Sequence, residues 1–203
     1  MYIMLTDSQI SVLCRKMSIP LAEISFKDEL NGKLQYNKAY IINMQDEKDG
    51  NGLQNSGTHW VCFFVKKYPN NTIEPIYFDS YACPPPEDVK AFVKSNCNKY
   101  LPYTTKDIQS LMSNVCGWYV CSFLYAITNP RMASGNLYYD VDNFLNLFDD
   151  LTKSHDFKKN EYMLKNFFRS EDPSKRTPID IDIKEQEDNP NIIKIPVNTS
   201  LMG

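Results

Sequence analysis

Gly57-Thr58-His59-Trp60-Val61-Cys62-Phe63-Phe64-Val65-Lys66-Lys67, then Tyr68-Pro69-Asn70-Asn71, then Ile73-Glu74-Pro75-Ile76-Tyr77-Phe78-Asp79 is the stretch that decides the fold. Two apolar runs rich in β-branched and aromatic residues flank a Pro-Asn-Asn turn, which predicts strands over 59–67 and 73–79 paired as a hairpin. In such a hairpin the start of the first strand lies beside the end of the second. His59 and Asp79 are therefore expected to meet.

Upstream, Ala39 to Met44 reads as a further short strand, and Gln45 to Thr58, polar and bearing Gly50, Gly52 and Gly57, as a loop. Thr6 caps a first helix, with Gln9 at the capping-box position and an apolar stripe of Ile10, Leu13, Cys14 and Met17. Downstream, Pro84-Pro85-Pro86 and Glu87-Asp88 open a helix that runs to about Asn96. Asp107 to Met112 reads as a turn or short strand. Cys116 to Thr128 has the content of a buried helix, stopped by Asn129-Pro130. Helices near 141–153 and 157–168 follow, the first with Val141, Phe144, Leu145, Phe148 and Leu151 on one face. Helices at both ends of a small central mixed sheet make the class α+β. Residues 1–168 form one domain. Residues 169–203, with Pro173, Pro178, Pro190 and Pro196, form an acidic tail with two readings: a strap that packs Ile192, Ile193 and Ile195 on the body, or a regulatory segment whose Ser200-Leu201-Met202-Gly203 end reaches the cleft.

Composition narrows the function. The 203 residues hold 22 basic and 25 acidic side chains, a net charge of −3, whereas a dedicated nucleic-acid binder carries a basic excess. Residues 1–168 are close to neutral, with 17 basic and 18 acidic residues. The longest strongly apolar run, residues 60–65, is far short of the roughly 20 residues that span a bilayer, so no membrane association is expected. The first residues have neither a basic region nor an apolar core of secretory type, so a chain that stays inside a cell, or is made there, is the expectation. Six cysteines (14, 62, 83, 97, 116 and 121) contain no Cys-x-x-Cys pair and no zinc-ligand spacing. They read as free thiols, and neither a metal nor another cofactor is expected.

The chemistry-bearing residues occur in a fixed order. His59 opens a strand and Asp79 closes the next, where a carboxylate orients an imidazole and stabilises its protonated form. Cys116 begins the most apolar helix, where the positive end of the helix dipole favours a thiolate. Gly117, lacking a side chain, allows a substrate carbonyl to approach the backbone. Gln109, seven residues before Cys116, carries an amide suited to a developing oxyanion. Cys121 lies about 140° around the helix from Cys116 (five steps of about 100°), so it faces elsewhere, and Cys62 reads as core. Singly, each residue has an ordinary structural explanation. Together, on suitable element ends, they point to nucleophilic catalysis by a thiol.

The order His59, Asp79, Gln109, Cys116 resembles that of the adenain and SUMO-protease superfamily of cysteine peptidases. Gly57-Thr58-His59-Trp60 is similar to the Gly-x-His-Trp of the adenovirus maturation protease, as is the interval from Gln109 to Cys116. The Gly-rich lead into Thr58-His59-Trp60-Val61, with Asn43 before it, is most similar to proteases of virophages, polinton-like viruses and other large eukaryotic DNA viruses. The resemblance covers about residues 39–128. It implies a papain-like α+β fold with the cysteine on the central helix, and assigns Cys116 as nucleophile, His59 as base, Asp79 as its orienting acid and Gln109 as oxyanion donor. Trp60 is then expected to line a narrow channel that admits small residues. The implied activity is endopeptidase maturation of capsid or other virion precursors, in the virion and the host-cell cytoplasm. The alternative is an isopeptidase acting on SUMO- or ubiquitin-like modifiers. Activation by a small peptide or by DNA is also implied, although a near-neutral body counts against DNA. Where the adenovirus enzyme has Glu as the third member, Asp79 matches the SUMO-protease pattern.

Overall fold

In a computed structural model, the residues described are 4–154, 156–168 and 201–202. Thr6 and Gln9 close the expected capping box, each side chain bonding the other's backbone N–H, and so start α1 (Asp7–Lys16). The hairpin forms as β3 (Trp60–Lys67) and β4 (Ile73–Phe78), antiparallel, with Cys62 opposite Phe78 and Lys67 opposite Ile73. On the other side of β3 lies β2 (Ala39–Asn43), also antiparallel, with Asn43 opposite Trp60.

Two strands within residues 1–168 were not legible in the sequence. β1 (Leu21–Phe26) runs parallel to β2 at the edge, and β5 (Tyr103–Thr104) runs parallel to β4. The first has mixed burial and the second is two residues long, so neither leaves a clear alternation. The result is a five-stranded mixed sheet in the order β1-β2-β3-β4-β5, extended by a two-residue β6 (Leu201–Met202) antiparallel to β5.

The apolar run of β3 is continuous because both faces of the sheet are covered. Trp60, Cys62 and Phe64 face one core with α3 (Cys116–Thr128), while Val61, Phe63 and Val65 face a second core with α2 (Glu87–Cys97). Phe78 of β4 stacks on Phe123 of α3 at 4.3 Å between ring centres, and Phe63 packs on Tyr40 at 4.6 Å. Helix α3 is thus the central helix, clamped onto the sheet by aromatic side chains. The fold class is α+β.

The helix expected over 141–153 is two helices, α4 (Leu137–Leu145) and α5 (Leu151–Ser154). Between them, the Asp149 N–H is taken by Asn160 at 2.7 Å and the Leu151 N–H by the Asp107 carbonyl at 2.9 Å. Bonds to distant groups replace those a continuous helix would make. The expected apolar face, Val141 to Leu151, is buried all the same. The last helix is α6 (Phe157–Asn166). The strap expected from Ile192, Ile193 and Ile195 lies outside the described residues. Among the described residues no helix is long and apolar enough to cross a membrane.

Candidate active site

The site lies where the hairpin end meets the start of α3. His59 immediately precedes β3, and Asp79 immediately follows β4. His59 Nε2 lies 2.8 Å from Asp79 Oδ1. Asp79 is 1% exposed, and the same oxygen accepts the Tyr81 N–H at 2.8 Å. With Nε2 committed to Asp79, Nδ1 is the ring nitrogen left for Cys116, whose Sγ lies 3.5 Å from the N–H of the adjacent Trp60. Burial pushes the imidazole pKa down. Hydrogen bonds to Asp79 and Cys116, and the negative charge of both, outweigh it and raise the pKa from 6.5 to about 9. At neutral pH the imidazole is protonated and the sulfur faces a cation.

Cys116 is the first residue of α3, and Val115 before it supplies no side-chain cap. The terminal N–H groups of the helix are therefore not taken by a cap, and their partial positive charge favours an anion there. A further donor is the backbone N–H of Trp60, 3.5 Å from Cys116 Sγ. Cys62 and Cys121 are poorer nucleophiles. The hydrogen bond that Cys121 donates to Cys14, together with burial, pushes Cys121 well above its usual value, and burial does the same to Cys62.

The approach to His59 depends on Gly57. Its φ is +82°, and a Cβ there would meet Asn43 Nδ2 at 2.3 Å. Asn43, 1% exposed, accepts the Thr58 N–H at 3.3 Å and the Gln45 N–H at 3.1 Å through Oδ1. A glycine is needed because the chain passes directly over this amide in a left-handed conformation.

Two expected roles look different in three dimensions. The open side of Gly117 faces Leu5 and Ile10, with Leu5 Cβ 3.2 Å from where a Cβ would sit. What its missing side chain serves is close packing of the N-terminal segment on α3. Gln109 is 1% exposed and its carboxamide is fully engaged. Oε1 accepts from Ser80 Oγ at 2.7 Å, while Nε2 donates to the Ser113 carbonyl at 2.7 Å and to the Tyr81 hydroxyl at 2.9 Å. Trp60 is 8% exposed, its indole N–H donates to the Leu5 carbonyl at 2.8 Å, and it borders a cavity of about 370 Å³ shared with Leu5, Phe26, Asn43 and Gly57.

Tyr81 and Asn43 carry parts of this geometry that sequence reasoning did not assign. Tyr81 lies against the His59 ring, 4.6 Å between centres. The register of β3 and β4, continued three residues past its last pair, puts Tyr81 level with His59, and that was the available signal. Among the described residues no cluster of three or more His, Cys, Asp or Glu could hold a metal ion. Comparison with protein-family models and with curated proteins finds no match to the chain.

Proposed function

We propose that the chain is a cysteine endopeptidase with a papain-like arrangement and the chain order of the adenain and SUMO-protease superfamily, and that it processes precursor proteins of a virion. The observation that carries this reading is His59 hydrogen-bonded to Asp79 while the backbone N–H of the adjacent Trp60 lies 3.5 Å from Cys116 Sγ, which brings imidazole, carboxylate and thiol to one place. A protonated imidazole beside a thiol at a helix N-terminus favours the thiolate, which is the attacking species. The sulfur attacks the scissile carbonyl. His59 then gives its proton to the departing amine, and Asp79 keeps the ring oriented through the cycle. Water drawn by the now neutral imidazole hydrolyses the thioester.

Exposed apolar side chains in the segments that lead to His59 and Cys116 also suit a polypeptide substrate. Leu53, in the segment leading to His59, is 67% exposed, and Leu111 and Met112, in the segment leading to Cys116, are 84% and 94% exposed. Exposed apolar side chains in both segments suit a polypeptide better than a small polar molecule. The narrow setting of Trp60 is the basis for small residues, of Gly type, at the cut.

The test is incubation with peptides carrying Gly-Gly and Gly-x junctions, with capsid precursors, and with ubiquitin-like modifier fusions. Cleavage of the peptides and precursors that disappears in Cys116→Ala is expected. Cleavage confined to the modifier fusions would replace the reading with an isopeptidase, and cleavage surviving in Cys116→Ala would remove it.

A further inference from the structure

Resting on the peptidase reading, we propose that the hydroxyl of Tyr81 is the side-chain donor to the oxyanion formed when Cys116 attacks, and that Gln109 is the positioning residue holding that hydroxyl. A carboxamide nitrogen has two protons. Those of Gln109 are directed to the Ser113 carbonyl at 2.7 Å and the Tyr81 hydroxyl at 2.9 Å, and the Ser80 hydroxyl on Oε1 fixes which end is which. Gln109 has no proton left for a substrate.

Tyr81 does. Its oxygen accepts from Gln109, so its own proton points to another acceptor, the Ser113 carbonyl at 3.3 Å. That carbonyl already takes the shorter bond from Gln109. The Tyr81 O–H is therefore the most weakly engaged donor of the three and the one most readily exchanged for an oxyanion. Its position suits the task. The ring lies 4.6 Å from that of His59, its backbone N–H is fixed on Asp79, and its hydroxyl reaches the segment leading into Cys116. Burial and the nearby charges of Cys116 and Asp79 push the phenol up to about 12, so it keeps its proton across the working range.

In the reaction the C–S bond forms as the carbonyl π pair moves onto oxygen. The Tyr81 O–H turns from the Ser113 carbonyl to that oxygen and donates a hydrogen bond without transferring its proton. Collapse restores the C=O bond, breaks the C–N bond and releases the amine with the proton from His59.

Acylation of a thiolate builds an oxyanion, whereas alkylation by iodoacetamide does not. The experiment measures both at Cys116 in the full chain, by mass spectrometry, using p-nitrophenyl acetate and iodoacetamide on the parent protein and on Tyr81→Phe. Removing one oxyanion donor costs on the order of 100-fold or more. Tyr81→Phe is expected to slow acylation about 100-fold and leave alkylation within about twofold. The unchanged alkylation also shows that the variant is folded with its thiolate intact. Acylation at the parental rate would overturn the proposal. Faster acylation would overturn it too, making the hydroxyl a cover over Gln109. Equal slowing of both reactions would overturn it in favour of a role in ordering His59. A parent protein that shows no acylation of Cys116 would instead remove the peptidase reading, and this proposal with it.

Discussion

His59 Nε2 lies 2.8 Å from Asp79 Oδ1 across the open end of the β3–β4 hairpin. That oxygen is also fixed by the Tyr81 N–H at 2.8 Å. A carboxylate so deeply buried is costly unless its oxygens are hydrogen-bonded and a cation is near. The backbone amide and the imidazolium supply both, so the orientation of His59 is built into the end of the hairpin and does not depend on a mobile side chain.

The first consequence is pH dependence. A group whose pKa rises on folding, here from 6.5 to about 9, stabilises the fold fully below the lower value, and that contribution is lost as pH rises through the higher one. We expect kcat/KM to fall on the alkaline side near pH 9 as the imidazolium loses its proton. Asp79→Asn removes a charge that raises the pKa, so this limb should move to lower pH while kcat/KM drops by about 100-fold or more. A limb that stays put would separate Asp79 from the titration.

Thiol reactivity gives the second. Cys14, Cys62 and Cys121 are at most 1% exposed, and burial pushes Cys83 and Cys97 above their usual value. At pH 6, iodoacetamide should modify Cys116 before Cys83 or Cys97, as peptide mapping would read. Cys116→Ala should abolish peptidase activity and keep the parental melting curve. Faster labelling of exposed Cys83 would sink the assignment of Cys116.

Gly57 provides a third. In Gly57→Ala the new methyl would meet the Asn43 amide, and alanine at a φ of +82° costs about 1–2 kcal/mol of itself. At roughly 2–4 °C per kcal/mol for a chain of this size, a fall in Tm of several degrees is expected, together with lower activity because Thr58 and His59 shift. Adding Asn43→Ala should not restore activity, since the backbone strain and the lost Thr58 bond remain. Parental Tm and activity in Gly57→Ala would contradict the close approach.

Substrate size is the fourth. Exchanging the small residue before the cut for Leu or Phe should lower kcat/KM at least tenfold, about 1.4 kcal/mol, because Trp60 is held by the Leu5 carbonyl and cannot swing aside freely. Equal turnover of small and bulky residues would remove Trp60 from the specificity argument.

Asn160 gives the fifth. Fully buried, it donates to the Ile108 and Asp149 carbonyls and accepts the Asp149 N–H, tying α6 to the segment that carries Gln109. Asn160→Ala leaves buried backbone groups unpaired at about 1–3 kcal/mol each. We expect a clear loss of Tm in a thermal melt, and a change within 1 °C would contradict the role.

The sequence by itself determined the hairpin, the capped first helix, the buried helix beginning at Cys116 and the meeting of His59 with Asp79. These rest on local patterns: apolar runs of strand length, a Pro-Asn-Asn turn, a Thr-x-x-Gln box and a helix stop at Asn129-Pro130. Hairpin register is itself local, since a short turn joins strands that pair with each other. Tertiary structure alone decided the rest. β1 and β5 exist because parallel neighbours complete their hydrogen bonds. The break between α4 and α5 follows from bonds to Asp107 and Asn160. Gly117 proved to be a packing position against Leu5 and Ile10, and Gln109 was found closed on Ser80, Tyr81 and Ser113. Each of these depends on single contacts between residues far apart in the chain, worth roughly 1 kcal/mol apiece, and such contacts leave no periodicity in a sequence.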